Sequence, residues 1–393
     1  MYIRQFKLQE TKMIKTYKYR LQPNKEQEIL LNSSFEICRL LYNLALEQRI
    51  SSFKQFNKSL NYFSQANQLK ELKTEFPEFK NIHSQVLQDV LKRLDKAFQN
   101  FFRRLKSKQT PGFPRFKGFG RYSSITYPQF DLKTEGKKIS VPKIGLIKFK
   151  FCRKFPELIK IKTATITRSL TGKFFISITF DNLQEIPKKI SINPNKVIGI
   201  DLGINHFLVT SKNEYIDNPK YLKQSLEKLA HQQQLLSRKT KGSNNRSKQK
   251  FQVAKVYEKV SNQRKDFLHK LSTSFVNQYD CIIAEDLNIN SMLQGNKHQT
   301  TLHRSISDAS WGQFTGMLSY KAEEAGKHLI LVNPRGTSQT CSNCGAKVEK
   351  KLWDRIHKCP ECQISLNRDF NSSLYIEKIG KELPEFKLVE SSS

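Results

Sequence analysis

The chain has 393 residues, more than one hydrophobic core normally organises, so two or three domains are expected. It carries 68 Lys and Arg residues against 35 Asp and Glu residues, a formal net charge of +33. This excess favours a polyanionic partner, of which nucleic acid is the commonest, over a merely soluble basic protein.

No feature of the sequence directs the protein to a membrane or out of the cell. The first twelve residues lack an apolar core of signal-peptide length, and no later apolar run is long enough to span a bilayer. We therefore expect a soluble, cytoplasmic protein that is associated with the nucleoid when bound to DNA, and no membrane partner. Met13 opens a segment that looks more like a protein start, so residues 1–12 are predicted to be an extension or a misplaced initiation.

The first predicted element is a half-buried strand over 14–21, where aromatic and apolar residues alternate with Lys18 and Arg20. A helix is predicted to follow, because Asn24 suits an N-cap and Gln27 lies three residues later, the spacing of a capping box.

Helical segments are predicted to continue to about residue 106. Six apolar side chains recur there at helical spacing: Val86, Val90, Leu94, Phe98, Phe101 and Leu105. The two aromatic ones, Phe98 and Phe101, are expected to form core. The basic side chains between them are expected to be exposed and to face phosphates: Lys92, Arg93, Arg103, Arg104 and Lys106.

Residues 111–117 break the helical pattern, and strand-like segments come after them. Four strands are predicted, over 125–127, 146–151, 159–168 and 174–180. Gly172 lies in the turn between the last two, which reads as a hairpin. The simplest assembly is a small barrel whose first strand precedes the helical insertion, with residues 187–194 as a linker to the second half.

The second half alternates strands and helices. Strands are predicted over 197–200, 207–210, 281–285 and 329–332, and helices over 218–236, 250–278 and 311–324. The segment 237–246 between the first two helices is polar, basic and rich in turn residues. This order matches a ribonuclease-H-like α/β arrangement.

Three carboxylates follow or begin these elements. Asp201 and Glu285 each end a short apolar run that reads as a buried strand, and Asp369 stands where a helix is predicted to begin. Three acids on adjacent elements of one sheet could hold two divalent cations about 4 Å apart, the arrangement used in phosphodiester cleavage. Each acid taken alone is more often a satisfied surface or turn carboxylate.

Four of the seven cysteines form two Cys-x-x-Cys pairs separated by fourteen residues: Cys341 with Cys344, and Cys359 with Cys362. Two such pairs can direct four thiolates at one ion, so a closed structural zinc site is predicted rather than a disulfide framework or a redox pair. His357 is a conceivable ligand, but with four thiolates available it is expected to be a surface residue.

Several motifs, in their order along the chain, resemble the TnpB family of transposon-encoded, RNA-guided DNA nucleases, which is related to type V CRISPR effectors. The resemblance covers nearly the whole chain and rests on seven segments: 17–21 (YKYRL), 111–117 (PGFPRFK), 199–203 (GIDLG), 262–267 (NQRKDF), 285–287 (EDL), 337–345 (TSQTCSNCG) and 368–371 (RDFN).

The resemblance implies a multidomain α+β protein. Residues 1–22 would form an N-terminal extension and the first strand of a split wedge β-barrel, residues 23–108 a helical recognition domain, and residues 109–187 the rest of the wedge barrel. A ribonuclease-H-like RuvC nuclease domain would follow in two parts, 188–336 and 367–380, with a zinc ribbon inserted over 337–366. Residues 381–393 would be a C-terminal tail. Asp201, Glu285 and Asp369 would be the RuvC acids.

By the same resemblance the protein would bind a guide RNA from the transposon end and cleave double-stranded target DNA beside a short adjacent motif, as a monomeric ribonucleoprotein. Mg²⁺ or Mn²⁺ held by the three acids would activate the attacking water. Asp286 directly follows Glu285 and is expected to face the opposite side of the strand. Nucleic-acid contacts are expected from Tyr17, Lys18, Arg20, Arg103, Arg104, Arg115, Lys117, Arg238, Lys239, Arg246, Arg264 and Lys265.

Two other functions remain open at this point. One is a cut-and-join transposase of the same fold, although such enzymes usually end their acid set in Glu. The other is an RNA- and DNA-binding regulator with a dead nuclease site, which the charge and the zinc motif would equally allow.

Overall fold

A computed structural model describes residues 13–185, 187–294, 300–351, 353–384 and 386–387. The chain divides into two compact units, Met1–Glu185 and Ile186–Ser393. In the part of the chain that is described, no helix is both long and apolar enough to cross a bilayer.

The helices of the first unit are α1 (Lys25–Phe56), α2 (Tyr62–Asn67), α3 (Leu69–Glu75) and α4 (Ser84–Lys106), with a 3-10 turn over Pro77–Asn81. The predicted capping box is present, since the Asn24 side chain accepts from the Gln27 backbone N–H and the Gln27 side chain accepts from the Asn24 backbone N–H. Along the predicted stripe of α4 the side chains are buried as far as Leu94, Phe98 and Phe101 are partly buried, and Leu105 is exposed.

A seven-stranded antiparallel sheet completes the first unit: β1 (Met13–Gln22), β2 (Ser124–Tyr127), β3 (Thr134–Glu135), β4 (Lys138–Val141), β5 (Gly145–Lys150), β6 (Ile159–Arg168) and β7 (Phe174–Asn182). The strand order is β2-β6-β7-β1-β5-β4-β3. Strand β1 therefore lies between strands that follow the helices, as the strand, helix, strand order predicted. Gly172, at φ +71°, forms the predicted turn between β6 and β7.

The sheet of the second unit has five strands: β8 (Val197–Leu202), β9 (His206–Thr210), β10 (Tyr215–Asp217), β11 (Cys281–Glu285) and β12 (His328–Val332). Their order is β10-β9-β8-β11-β12, with β8, β11 and β12 parallel and β9 antiparallel to both of its neighbours. The described helices are α5 (Tyr221–Ser237), α6 (Asn244–Gln278), α7 (Ile289–Leu293), α8 (Thr300–Ala309), α9 (Trp311–Glu324) and α10 (Arg368–Glu382). Short strands β13 (Ile356–Lys358) and β14 (Ser365–Asn367) pair as a small hairpin.

Helices cover both faces of the five-stranded sheet. Ile198, Ile200 and Ile282 point to one face, where they belong to a core with side chains of α6 and α9. Val197 and Ile283 point to the other face, which α10 covers. The two faces follow from the alternation of side chains along a strand.

Helix α10 packs directly on the sheet because two glycines make room for it. A Cβ atom on Gly199 would lie 2.4 Å from the Ser373 carbonyl oxygen, and one on Gly380 would lie 2.3 Å from Ile283 Cγ2. No larger residue would fit at either position without moving the helix away from β8 and β11.

Candidate active site and metal cluster

Asp201 and Glu285 stand side by side on the face of the sheet that α10 covers. In the parallel pairing of β8 and β11, Ile200 is opposite Ala284, so the next residues along each strand are these two acids. Asp201 shares its face with Gly199, and Glu285 shares its face with Ile283. The close approach of α10 at both neighbours places the two carboxylates beneath that helix.

Asp369 occupies the first turn of α10. The helix begins there because the Asn367 side chain accepts hydrogen bonds from the backbone N–H groups of Asp369, at 2.9 Å, and Phe370, at 3.3 Å. The Arg368 guanidinium lies 3.2 Å from the Asp369 carboxylate. The start of the helix thus brings the third acid toward the pair on the strands.

The charges of both other acids act on Asp201. Burial raises the pKa of Asp201 well above its usual value, and the charges of Glu285 and Asp369 raise it further, against the opposing effect of Arg368. Burial also raises the pKa of Glu285. Like charges in a desolvated site repel one another, so the group would be stabilised by a bound cation.

The donor chemistry fits Mg²⁺ or Mn²⁺, which prefer carboxylate oxygens. The ligand atoms of the three acids nevertheless do not form a tight cluster. In the described ranges, the four cysteines are the only group of three or more potential ligand atoms that lie within 4.8 Å of one another. Of the three acids, Asp201 is the one whose pKa is raised by the charges of the other two.

Glu285 has a partner that the sequence did not suggest. The buried Thr337 donates a hydrogen bond from Oγ1 to Glu285 Oε1, and this contact lowers the pKa of the acid against the effect of burial. Thr337 also lies 3.0 Å from the Pro334 carbonyl oxygen. Its position at the start of a cysteine motif is the only signal in the sequence, and that signal points to zinc rather than to the acid.

The cysteine segment is also tied to α10. The fully buried Asn371 donates to the Thr340 carbonyl at 2.8 Å and accepts from the Ser342 backbone N–H at 3.0 Å. Arg368 donates to the Asp354 carbonyl at 3.1 Å. Contacts from this segment therefore reach both Glu285 and the helix that carries Asp369.

The four predicted cysteines come together. Cys341 Sγ is 3.6 Å from Cys362 Sγ, and Cys344 Sγ is 3.5 Å from Cys359 Sγ, with no disulfide among them. The backbone N–H of Ile364 is the main cause that lowers the pKa of Cys362, to about 6. Four converging thiols of this kind could bind a zinc ion.

The two cysteine turns are alike. The N–H of Gly345 bonds to the Cys341 carbonyl at 3.0 Å, and the N–H of Gln363 bonds to the Cys359 carbonyl at 3.0 Å. Both of the donating residues have positive φ, +81° for Gly345 and +58° for Gln363.

His357 is not the surface residue that was expected. Its side chain is fully buried on β13, both ring nitrogens lack a hydrogen-bond partner, and burial lowers its pKa. The expectation failed because a segment this short gave no pattern from which to tell the inner face of β13 from its outer face.

Asp286 faces away from the three acids, as predicted. It is exposed and lines a cavity of about 240 Å³ together with Trp311 and Leu331. Its backbone N–H donates to the Val332 carbonyl at 2.9 Å.

The residues expected to contact nucleic acid fall into two groups. Seven are exposed cations: Lys18, Arg103, Arg104, Arg115, Arg238, Lys239 and Lys265. The other five are less exposed: Tyr17, Arg20, Lys117, Arg246 and Arg264.

Four of these five side chains have partners within the protein. The Arg153 guanidinium lies 4.8 Å from the Tyr17 ring, and Lys117 lies 5.4 Å from the Tyr42 ring. Arg246 donates to two carbonyls at the end of α5, and Arg264 is 2.5 Å from Asp308. Contacts within the protein therefore already engage four of the twelve residues that were predicted to contact nucleic acid.

A basic groove that the sequence did not predict lies between α5 and α6. It has a volume of about 670 Å³, and its walls carry Lys228, Lys255 and Lys259 with several glutamines. The four-residue spacing of Lys255 and Lys259 places them on one helical face, which is the signal that could have revealed the groove.

Comparisons with known proteins agree with this architecture. Residues 183–296 match the family described as "Probable transposase", residues 311–376 match "Cas12f1-like, TNB domain", and residues 13–58 match "Helix-turn-helix domain". In the structure, the last of these ranges holds strand β1 and the single long helix α1.

Two curated relatives match over almost the whole chain. The Escherichia coli (strain K12) protein named "Putative RNA-guided DNA endonuclease InsQ" is 30% identical over 385 residues, which is 94% of this chain and 93% of the relative. A "Putative RNA-guided DNA endonuclease" of Streptomyces pristinaespiralis is 31% identical over 373 residues, 93% of this chain and 89% of the relative.

Among solved structures, the Cas12f1 chain in a complex with single-guide RNA and target DNA aligns with a TM-score of 0.56 at 15% identity, over 95% of this chain and 99% of that one. This likeness concerns the fold. The chain belongs to the TnpB family, which is related to type V CRISPR effectors, as its motifs predicted.

Proposed function

We propose that this protein is the RNA-guided DNA endonuclease of a transposon, and that Asp201, Glu285 and Asp369 are its catalytic acids. The observation that supports the proposal is that Asp201 and Glu285 end paired strands on the face covered by α10, where the charge of Asp369 also acts on Asp201. The names of the curated relatives support the same activity.

We propose a ribonuclease-H-like, RuvC-type domain for the second unit. The central parallel strands, the antiparallel edge formed by β9 and β10, and the helices on both faces support this assignment. For the first unit we propose a wedge barrel interrupted by a helical recognition domain, supported by the place of β1 in the middle of a sheet that the chain resumes only after α4.

The catalytic ions would be Mg²⁺ or Mn²⁺, which activate water and neutralise the charge that develops on the leaving oxygen in phosphodiester hydrolysis. The protein's part is to hold the ligands. Strands β8 and β11 fix Asp201 and Glu285 next to each other, and the cap at Asn367 fixes the turn that bears Asp369. We assign a structural zinc ion to Cys341, Cys344, Cys359 and Cys362.

The partners would be a guide RNA and double-stranded target DNA, in a complex that we expect to contain one protein chain. Base pairing with the guide would select the target sequence, while the protein would hold the backbones by charge. The exposed cations and the lysine groove between α5 and α6 are suited to phosphates.

Reconstitution tests the proposal. The purified protein with its guide RNA should cleave matched DNA in Mg²⁺, leaving a 3′-hydroxyl and a 5′-phosphate. Asp201→Ala should abolish cleavage and keep RNA binding, whereas Asp286→Ala, one strand position beyond Glu285, should keep both. Failure of the wild-type complex to cleave would favour the regulator, and joining of transposon ends without RNA would favour the transposase.

A further inference from the structure

An open aromatic cavity lies in the first unit, and none of the residues proposed above for catalysis or zinc binding lines it. Its volume is about 340 Å³, within the range of roughly 300–1,000 Å³ typical of ligand sites. Its walls come from the end of α1, the loop after it, the end of α4 and the segment after α4, and they include Phe53, Lys54, Phe98, Phe101, Phe102 and Phe113.

The cavity is not a closed part of the core. Phe53 is 60% exposed, Phe102 is 56% exposed and Phe113 is 48% exposed. Three half-exposed phenylalanines around one depression are unusual on a soluble protein unless something binds there. The predicted apolar stripe of α4 leaves the core at this end of the helix.

Phe98, Phe101, Phe102 and Phe113 contact one another through their rings. Phe113 meets Phe98 edge to face at 5.5 Å and meets Phe101 edge to face at 5.3 Å. This packing anchors Phe113, which belongs to a segment without helix or strand. A rigid aromatic wall loses little conformational entropy when a flat ligand stacks on it.

Charge identifies the kind of ligand. No acidic residue lines the cavity, and Lys54 is part of its wall. The last turn of α4 adds the exposed cations Arg103, Arg104 and Lys106 beside Phe102. A polyanion with apolar, flat groups therefore suits the surface better than an apolar protein segment or a lipid.

The arginine in the wall has a different role. Arg49 is buried, with its guanidinium 3.0 Å from Asp95 and its Nε donating to Gln65 at 2.8 Å. It lies 5.1 Å from the Phe98 ring. Because its charge is neutralised, it supports the ring rather than binding phosphate.

We propose that this cavity binds an unpaired nucleobase of a single-stranded nucleic acid, with the base stacked on Phe53, Phe102 or Phe113 and the adjoining phosphates on Lys54 and the end of α4. Duplex bases keep their faces covered by their neighbours, so only a single-stranded segment can present one. The inference rests on the proposed function, because that function supplies the nucleic acid.

The test uses the full-length protein with a chelator present, so that no cleavage occurs. Two fluorescent probes are compared, a short oligothymidine and an abasic oligomer of the same length, which carries the same phosphates without bases. Phe53→Leu and Phe102→Leu keep an apolar side chain but remove the aromatic face. Phe119→Leu is the matched control, since Phe119 is 84% exposed and does not line the cavity.

The wild type should prefer oligothymidine to the abasic probe. Each cavity variant should reduce that preference by about tenfold, as expected when stacking of one base is lost, and leave the affinity for the abasic probe unchanged. Phe102→Trp should restore the preference, which separates loss of stacking from misfolding. Phe119→Leu should behave as the wild type does.

Three results would overturn the proposal: no preference in the wild type, equal preference in the wild type and both leucine variants, or equal loss of affinity for both probes. Loss of self-association by the variants in sedimentation velocity, without a change in base preference, would assign the cavity to a second copy of the chain. Cleavage by the wild-type complex is measured separately, so a failure here leaves the proposed nuclease activity intact.

Discussion

The carboxylate site and the four-cysteine cluster both gather groups that repel one another when charged, but the protein holds the two sets in different ways. Asp201 and Glu285 lie on paired strands beneath a helix that approaches to the limit set by Gly199. The cysteines lie on two tight turns, beside a hairpin of three-residue strands. Packing therefore positions the acids, whereas the cysteine segment would depend on the proposed zinc ion for a core.

The two sites are also connected. Thr337 bonds to Glu285 from one end of the cysteine segment, and Asn371 on α10 bonds to Thr340 and Ser342 near the first cysteine. If packing positions the acids and zinc organises the cysteine segment, loss of zinc will disturb the acids through these contacts, whereas loss of an acid will leave the zinc in place.

Among the changes that test the connection between the two sites, the largest effect is expected from the Cys341→Ser, Cys344→Ser double variant. Zinc should be lost, and target cleavage should fall on the order of 100-fold or more, because the contacts that hold Glu285 and α10 lose their support. Zinc content and single-turnover cleavage are the measurements. Cys152→Ser, at an exposed cysteine outside the cluster, is the control and should change neither. Full cleavage by zinc-free protein would show that the two sites are independent.

Thr337→Val should have the next largest effect. Valine keeps the volume of the side chain but cannot donate to Glu285, so cleavage should fall about 10–100-fold with the zinc retained. Thr337→Ser keeps the hydroxyl group and should retain most of the activity. Cleavage rates measured over a range of Mg²⁺ concentrations should show weaker apparent metal binding for Thr337→Val only. Equal losses for valine and serine would mean that packing, not the hydrogen bond, is what matters.

Asp201→Asn should stabilise the protein when divalent ions are chelated. The folded state raises the pKa of Asp201, so the wild type keeps the associated stability at low pH and loses it as the pH rises through the folded pKa. The melting temperature of the variant should exceed that of the wild type at pH 8 by a few degrees, at roughly 2–4 °C per kcal/mol. Calorimetry from pH 4 to pH 8 should show this gap widening with pH. If the wild type were more stable than Asp201→Asn at pH 8 with divalent ions chelated, this result would contradict repulsion among the acids.

Asp286→Asn should have the smallest effect. The side chain is exposed on the other face of the sheet from the acids, so cleavage should stay within about threefold and the free energy of unfolding within about 0.5 kcal/mol. Cleavage kinetics and denaturant unfolding measure these quantities. A loss comparable with that of Asp201→Ala would place Asp286 in the reaction.

Local patterns predicted much of the secondary structure. The box of Asn24 and Gln27 begins α1, and the helix predicted over 311–324 has the observed bounds. The elements that were missed are short, with two to ten residues each: β3, β4, β10, β13, β14, α7 and α8. Such segments carry too few residues for a hydrophobic period to emerge, and their neighbours in the fold determine their conformation.

The sequence by itself determined the chemistry of the ligands: thiols in two spaced pairs, and carboxylates at the ends of apolar runs. These depend on residue type and on the nearest few neighbours. Only the tertiary structure decided that Asp201 and Glu285 lie side by side on the face covered by α10, that Thr337 supports Glu285, and that the end of α4 opens into an aromatic cavity. Those facts depend on strand register and on contacts between residues far apart in sequence, which no local pattern encodes.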